Sequence, residues 1–376
     1  MDLSLIVIVV IVTALAFDFT NGFHDTANAM ATSIATGALK PKVAVAISAV
    51  LNLVGAFLSI EVAKTISGGI VDDTKITPVV IFAGLFGAII WNLLTWLLGL
   101  PSSSSHALFG GLIGATWIAS GADAVHFVQV VQKILIPAVA SPIVAGVVAL
   151  VGTFLVYKIT ASARQDVVGK TFKTAQALSA SLVSLAHGTN DAQKTMGVIT
   201  LTLISSGALA SGSAPPVWVI LCSGLAIAAG TYLGGWRIIQ TMGKKITEIQ
   251  TPQGFAAETS AAVTILASSH LGFALSTTHV CSGGVIGSGV GRKLAEVRWG
   301  VAGRMVVAWL LTLPAAAIIG AIAAEVSSSG GNIGTVLVGV VGVLVAVGIY
   351  FWSRRNPVTA KNVNEPEQQP AVVGAA

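Results

Sequence analysis

Asp18-Phe19-Thr20-Asn21-Gly22-Phe23-His24-Asp25-Thr26-Ala27-Asn28 interrupts an otherwise apolar region. The run Leu3 to Phe17 leads into it, and a helical run of smaller residues, Ala29 to Leu39, leads out. Two acids, two amides and a histidine therefore fall where a membrane span would reach mid-depth. Ionisable groups in hydrocarbon are costly, so their presence in such a span points to a function. A related stretch returns as Ala186-His187-Gly188-Thr189-Asn190-Asp191-Ala192-Gln193-Lys194.

The surrounding composition fits a membrane. Of 376 residues 54% are hydrophobic, 9% are charged and 41 are glycine; an ordinary globular domain carries about 25% charged residues. Several apolar stretches exceed the roughly 20 residues that cross a bilayer as helix. The first run has Asp2 rather than a basic leader and continues into the polar motif, unlike a cleaved signal peptide. The net charge of +5 is spread over short gaps between spans, where it sets orientation, so nucleic acid is not an expected partner. Cys222 and Cys281 lie in apolar context and read as unpaired thiols.

Lys40-Pro41-Lys42, Lys158 to Lys173, Arg237 to Glu248, and the gap holding Arg292, Lys293, Glu296 and Arg298 are basic. Glu61 to Lys75 and the gap containing Asp123 are acidic. Basic gaps face the cytoplasm, which puts the N-terminus outside and the C-terminus inside a cell membrane. That alternation holds if Pro101-Ser102-Ser103-Ser104-Ser105-His106 and Leu275-Ser276-Thr277-Thr278-His279 are the tips of re-entrant or broken elements.

The halves overlay at a fixed offset within each block. Asp25 falls on Asp191, Gly22 on Gly188 and Asn28 on Lys194. Ser103 to His106 overlays Ser276 to His279, and Gly110, Gly111 and Gly114 overlay Gly283, Gly284 and Gly287. Equivalent gaps have opposite sidedness, so the repeat is inverted, an architecture common in secondary transporters. The expected fold is an all-α polytopic membrane protein of roughly 10–12 membrane elements. Residues 1–157 form a first repeat, 158–173 a cytoplasmic linker, 174–352 a second repeat with terminal spans, and 353–376 a polar, disordered tail.

The chemistry gathers at the paired motifs. Gly22 and Gly188 are expected to relax their helices and free backbone groups. Asp25 and Asp191 offer hard oxygens for a cation, and Thr26, Asn28 and Asn190 add neutral ones. Hydroxyls and amides of Ser103, Ser104, Ser105, Ser276, Thr277 and Thr278 would donate to an anion, as would the start of any helix that begins there. Together these suit an oxyanion travelling with cations, and phosphate fits the mixture. Lys194 would touch the anion or pair with Asp191 in place of a cation. His24, His187, His106 and His279 are candidate proton carriers. Glu258 lacks an acidic counterpart and would bind an ion or pair with a cation such as Arg304. Asp18 matches Ser184, which leaves its role open. The paired glycines most simply allow close helix approach.

With these motifs the chain resembles the inorganic phosphate transporter (PiT) family of secondary carriers, from Asp18 to about Trp309. The hallmark is a duplicated Gly-Ala-Asn-Asp-x-x-Asn-like motif, read here as Gly22 to Asn28 and Gly188 to Lys194. The resemblance implies a carrier, not an enzyme, importing orthophosphate or a neutral metal-phosphate with protons or sodium and without a bound cofactor. It places Asp25, Asn28, Asn190 and Asp191 around the ion–phosphate site, with the Ser/Thr tips closing over it; Asn21 is a further candidate for substrate binding. Asp25 and Asp191 would hold the metal in a sodium-coupled member. His24 and Lys194 depart from the commonest pattern and favour protons. A homodimer is compatible with this reading. Rival readings are a channel, separated by uptake against a gradient, and an intramembrane hydrolase using Ser103–His106 or Ser276–His279, which would still need an orienting partner.

Overall fold

The computed structural model describes residues 3–292 and 297–365. Among them the chain is all-α, with only two isolated bridges, Val71 to Val125 and Thr247 to Val297, at matching places in the two halves. The helices are α1 (Leu5–Ala35), α2 (Pro41–Gly55), α3 (Glu61–Gly69), α4 (Pro78–Leu97), α5 (Ser104–Ser120) and α6 (Phe127–Ile159). The second set is α7 (Gln165–Ser205), α8 (Val217–Leu233), α9 (Trp236–Lys245), α10 (Thr251–His270), α11 (Thr277–Arg292) and α12 (Trp299–Ser353). Among the described residues α1, α4, α6 and α12 are each long and apolar enough to cross a membrane, and α8 with α9, bent by 62°, makes a fifth such span. The molecule is a multi-pass membrane protein with an inverted-repeat fold.

The two repeats interlock. The α4–α5 hairpin packs on α12, and the α10–α11 hairpin packs on α6. Likewise α1 packs against α8 while α7 packs against α2. Small residues make these approaches possible. A Cβ on Gly110 or Gly114 would strike the carbonyls of Leu313 or Ala317 in α12. One on Gly283 or Gly287 would strike those of Pro142 or Gly146 in α6. Outward-facing side chains such as Val144, Phe154, Leu310, Ile322 and Leu344 are exposed and apolar, as a lipid-facing surface requires.

Two expectations change. Gly22 and Gly188 do not relax their helices, because α1 and α7 run unbroken through both motifs. Their service is proximity: a Cβ on Gly22 would meet the backbone of Ile227 and Thr231, and one on Gly188 the backbone of Asn52. The break lies elsewhere, at the tips between α4 and α5 and between α10 and α11, where Ser103 and Thr277 begin or precede the returning helix. The tail is ordered as far as the structure describes it. Arg237 donates to the carbonyls of Ser353 and Asn356 at 2.8 and 2.6 Å, Asn364 donates to that of Ile34 at 3.2 Å, and Val363 is buried. Residues 366–376 of the tail, and Lys293 and Glu296 of the last basic gap, lie outside the described residues. Within α12 the last two spans are separated by a break at Gly331, whose φ of 54° suits glycine.

Candidate functional site

Motif helices α1 and α7 bring their acids to one buried place, and both tips reach it. Asp25 and Asp191 are 1% and 0% exposed. Ser104 Oγ donates to Asp25 Oδ2 at 2.7 Å, and Thr278 Oγ1 reaches Asp25 Oδ1 at 3.4 Å. Thr277 Oγ1 reaches Asp191 Oδ2 at 3.5 Å. Asn28 donates to the hydroxyls of Thr278 and Thr277 at 3.0 and 3.3 Å, tying α1 to the second tip. Ser105 Oγ donates to the Leu275 carbonyl at 3.0 Å, which ties one tip to the other.

Each acid already has a basic neighbour. Lys194 Nζ sits 2.6 Å from Asp191 Oδ1, one helical turn along, so the lysine pairs with the acid in this conformation. His24 Nδ1 lies 2.6 Å from Asp25 Oδ1, and its Nε2 meets Thr95 Oγ1 at 3.1 Å. His187 stands between the acids, with Nε2 at 3.5 Å from Asp191 and 4.0 Å from Asp25. Its Nδ1 contacts Asn52 Oδ1 at 3.1 Å, while Nε2 makes no hydrogen bond. Asp25, His187 and Asp191 each offer a ligand atom within 4.8 Å of the others. That donor set, two carboxylate oxygens and one imidazole nitrogen, suits a cation or a shared proton equally. Asn21 Nδ2 donates to Asp191 Oδ2 at 3.3 Å. Asn190 joins Ser269 Oγ at 2.9 Å, and with its amide nitrogen toward the acid it also reaches Asp191 Oδ1 at 3.2 Å.

Other candidates stand apart or are occupied. Ser103 and Ser276 cap their helices, accepting from the amides of His106 and His279 at 3.1 and 3.2 Å. The Thr26 hydroxyl is taken by the Gly22 carbonyl at 2.6 Å. His106 and His279 meet ring to ring at 4.8 Å between centroids, and His279 lies 4.2 Å from Trp309. They make a joint between the two tip helices, one from each repeat. Glu258 belongs to a second polar cluster, bonded to Thr32, to Ser179 at 2.6 Å and to Gln176 at 3.2 Å. Of the two roles read for Glu258, pairing with a cation such as Arg304 gives way to these neutral donors. Asp18 is buried with neither carboxylate oxygen at full hydrogen-bonding geometry.

Thr95, Asn52 and Ser269 were not singled out from the sequence. Thr95 holds both His24 and Ser102, Asn52 orients His187 and donates to Thr231 at 2.8 Å, and Ser269 orients Asn190. For Thr95 and Asn52 the available signal was an isolated polar residue inside an apolar helix, and for Ser269 a short polar run at a helix end, each weak without a partner in view.

Inverted repeats, a buried ionisable cluster shared between them and hydroxyl-rich tips meeting on it define a secondary membrane transporter rather than an enzyme. The profile of the phosphate transporter family matches residues 21–320, and the chain belongs to that family. It is 58% identical over 367 residues to a probable low-affinity inorganic phosphate transporter of Mycobacterium bovis, covering 97% of this chain and 88% of the relative. A Bacillus subtilis protein with the same description is 44% identical over 329 residues, covering 86% and 98%. Among solved structures, one described as the sodium-dependent phosphate transporter superposes with a TM-score of 0.77 at 26% identity, covering 86% of this chain and 99% of that one.

Proposed function

We propose that the chain imports inorganic phosphate, free or as a metal-phosphate, by alternating access, driven by protons. The observation that carries this reading is the meeting of both acids with hydroxyls of both tips, Ser104 on Asp25 at 2.7 Å and Thr277 on Asp191 at 3.5 Å. Those hydroxyls, with Ser105, Thr278, Asn28 and Asn190, are the donors that a bound phosphate would claim. Dehydrating an oxyanion costs several kcal/mol or more unless such donors and a positive charge replace its water. Lys194 is the nearby fixed cation. Each acid would be neutralised before the anion arrives, and protons on the carboxylates or on His24 and His187 can do that. The repeats 1–157 and 174–352 would then exchange exposure, joined through the connection 158–173, whose residues 165–173 are the first turns of α7. The basic gaps support the N-terminus outside and the C-terminus in the cytoplasm.

Sodium coupling is the second reading. It is favoured by the compact Asp25–His187–Asp191 set and by the description of the superposed structure. Uptake of labelled phosphate into proteoliposomes separates the two. Proton coupling requires accumulation under an inward proton gradient without sodium. Accumulation only with a sodium gradient would replace it, and equilibration without accumulation would point to a channel.

A further inference from the structure

The carrier reading uses every buried acid of the motif helices except Asp18. It lies on α1, seven residues before Asp25, and is 0% exposed. Neither of its carboxylate oxygens has a partner at full hydrogen-bonding geometry. The side chains beside it are Asn21 and Thr195, and both are themselves fully buried with an unused oxygen, Oδ1 of Asn21 and Oγ1 of Thr195. Four unsatisfied oxygens from two helices thus share one spot. The charges that act on it are Asp191 and Lys194 of α7. Helices α4 and α8, also packed on α1, contain no charged residue.

Local bookkeeping of charge leaves one vacancy. Lys194 is given to Asp191 at 2.6 Å, and the Asn21 amide nitrogen is given to the same acid. A bare carboxylate at this depth would go uncompensated, at several kcal/mol, and each stranded acceptor would add about 1–3 kcal/mol. A single proton resolves all of it. As a carboxylic acid, Asp18 would have an O–H to give to Asn21 Oδ1 and a second oxygen to accept from the Thr195 hydroxyl, the two neighbours that act on it. A metal ion is a poorer occupant. Hard cations such as calcium and magnesium gather about six oxygens or more, and only four side-chain oxygens are present. The backbone cannot supply the rest, because α1 and α7 are unbroken here and their carbonyls belong to the helix ladder.

We propose that Asp18 holds an exchangeable proton that is part of the coupling, taken from water on one side of the membrane and returned to water on the other. When the proton leaves, Lys194 faces a second carboxylate. Its bond to Asp191 weakens, and the acid at the edge of the phosphate pocket is freed. Asp18 is in this sense a positioning residue acting through Lys194. The inference rests on the proton-driven carrier reading, so its test includes a measurement independent of transport.

The full chain and the variants Asp18→Asn and Asp18→Glu are reconstituted in proteoliposomes. Gradient-driven accumulation, phosphate–phosphate exchange without a gradient, and infrared difference spectra in the protonated-carboxyl region are recorded against pH. One coupled proton under a one-unit gradient is worth about tenfold in accumulation. Asp18→Asn is expected to lose that tenfold while exchanging phosphate at a reduced rate, and Asp18→Glu to keep it. A protonated-carboxyl band should disappear in Asp18→Asn and shift in Asp18→Glu. Parental accumulation in Asp18→Asn, loss of exchange in both variants, or an unchanged band would each overturn the proposal. So would a sodium-driven accumulation lost in Asp18→Asn with no carboxyl band. A parent chain that neither accumulates nor exchanges phosphate ends the carrier reading alone, since the band still reports whether Asp18 holds a proton.

Discussion

Lys194→Met removes the ammonium from the Lys194–Asp191 pair and keeps most of the side chain's volume. Both residues are 0% exposed and 2.6 Å apart. Breaking one partner of a buried pair typically costs about 3–5 kcal/mol, because the other charge is stranded. Asp191 keeps Asn21 at 3.3 Å, His187 at 3.5 Å and Thr277 at 3.5 Å, all longer than the lost contact. The low end of the range, about 3 kcal/mol, therefore applies. At an unfolding entropy of about 2.1 cal/mol/K per residue, a chain of this length would melt roughly 4 °C lower. The assay is thermal unfolding in detergent, at one fixed scan rate because unfolding of such proteins is commonly irreversible. Asp191→Asn strands the lysine instead and should cost a similar amount. Combining the two substitutions strands nothing, so the double variant should melt well above the sum of the single losses, with a coupling of at least about 1.5 kcal/mol. Strictly additive losses, or a parental melting point in Lys194→Met, would show that this ion pair does not hold the two residues.

Ser104→Ala deletes a 2.7 Å bond to Asp25, and Thr277→Ala a 3.5 Å contact to Asp191; hydrogen bonds to charged groups contribute about 1.5–3 kcal/mol when short. Initial phosphate uptake should therefore fall about tenfold or more in Ser104→Ala and less in Thr277→Ala. Gly188→Ala would place Cβ 2.5 Å from Asn52 Cα, whereas Gly169→Ala on the same helix meets nothing within 4 Å. The first should lower the melting point by the equivalent of about 1–3 kcal/mol, and the second should raise it slightly through helix propensity. Between α3 and α4, Thr74 donates its hydroxyl and amide to Asp72 Oδ1 at 2.6 and 3.0 Å and holds that carboxyl below the usual range. A depressed folded value means the turn's contribution is complete above about pH 4 and is lost as pH falls through the lower folded value. Protection of the Thr74 amide, taken relative to its intrinsic exchange rate at each pH, should be lost only in strong acid, and Asp72→Ala should remove it at neutral pH.

Much of the site was legible because its residues break a strong pattern. Asp25 and Asp191 stand out in apolar spans, and each supports the other through the repeat. The tips were legible for the same reason, since one hydroxyl run is common but two matched ones are not. What the sequence could not give was division of labour within a motif. Ser103 and Ser276 read like Ser104 and Thr277, yet they cap helices, because position relative to the first helical turn decides which hydroxyl is free. Gly22 and Gly188 read as helix breakers, yet they serve as contact points, because a neighbouring backbone that presses on a helix leaves no trace in local sequence. The order of residues 354–365 was missed because their composition is polar, while Val363 and Asn364 find their partners on elements remote in the chain.

The crossing of partners between the halves has a cost for anyone wishing to divide the molecule. A cut within Thr160–Arg164 yields fragments that each retain a tip-bearing hairpin but surrender the long helix on which it leans. Neither fragment owns a complete set of walls, and glycine faces shaped for one particular backbone would be left against lipid. The fragments should regain uptake only when made together in one bilayer, like two hands whose grip belongs to neither.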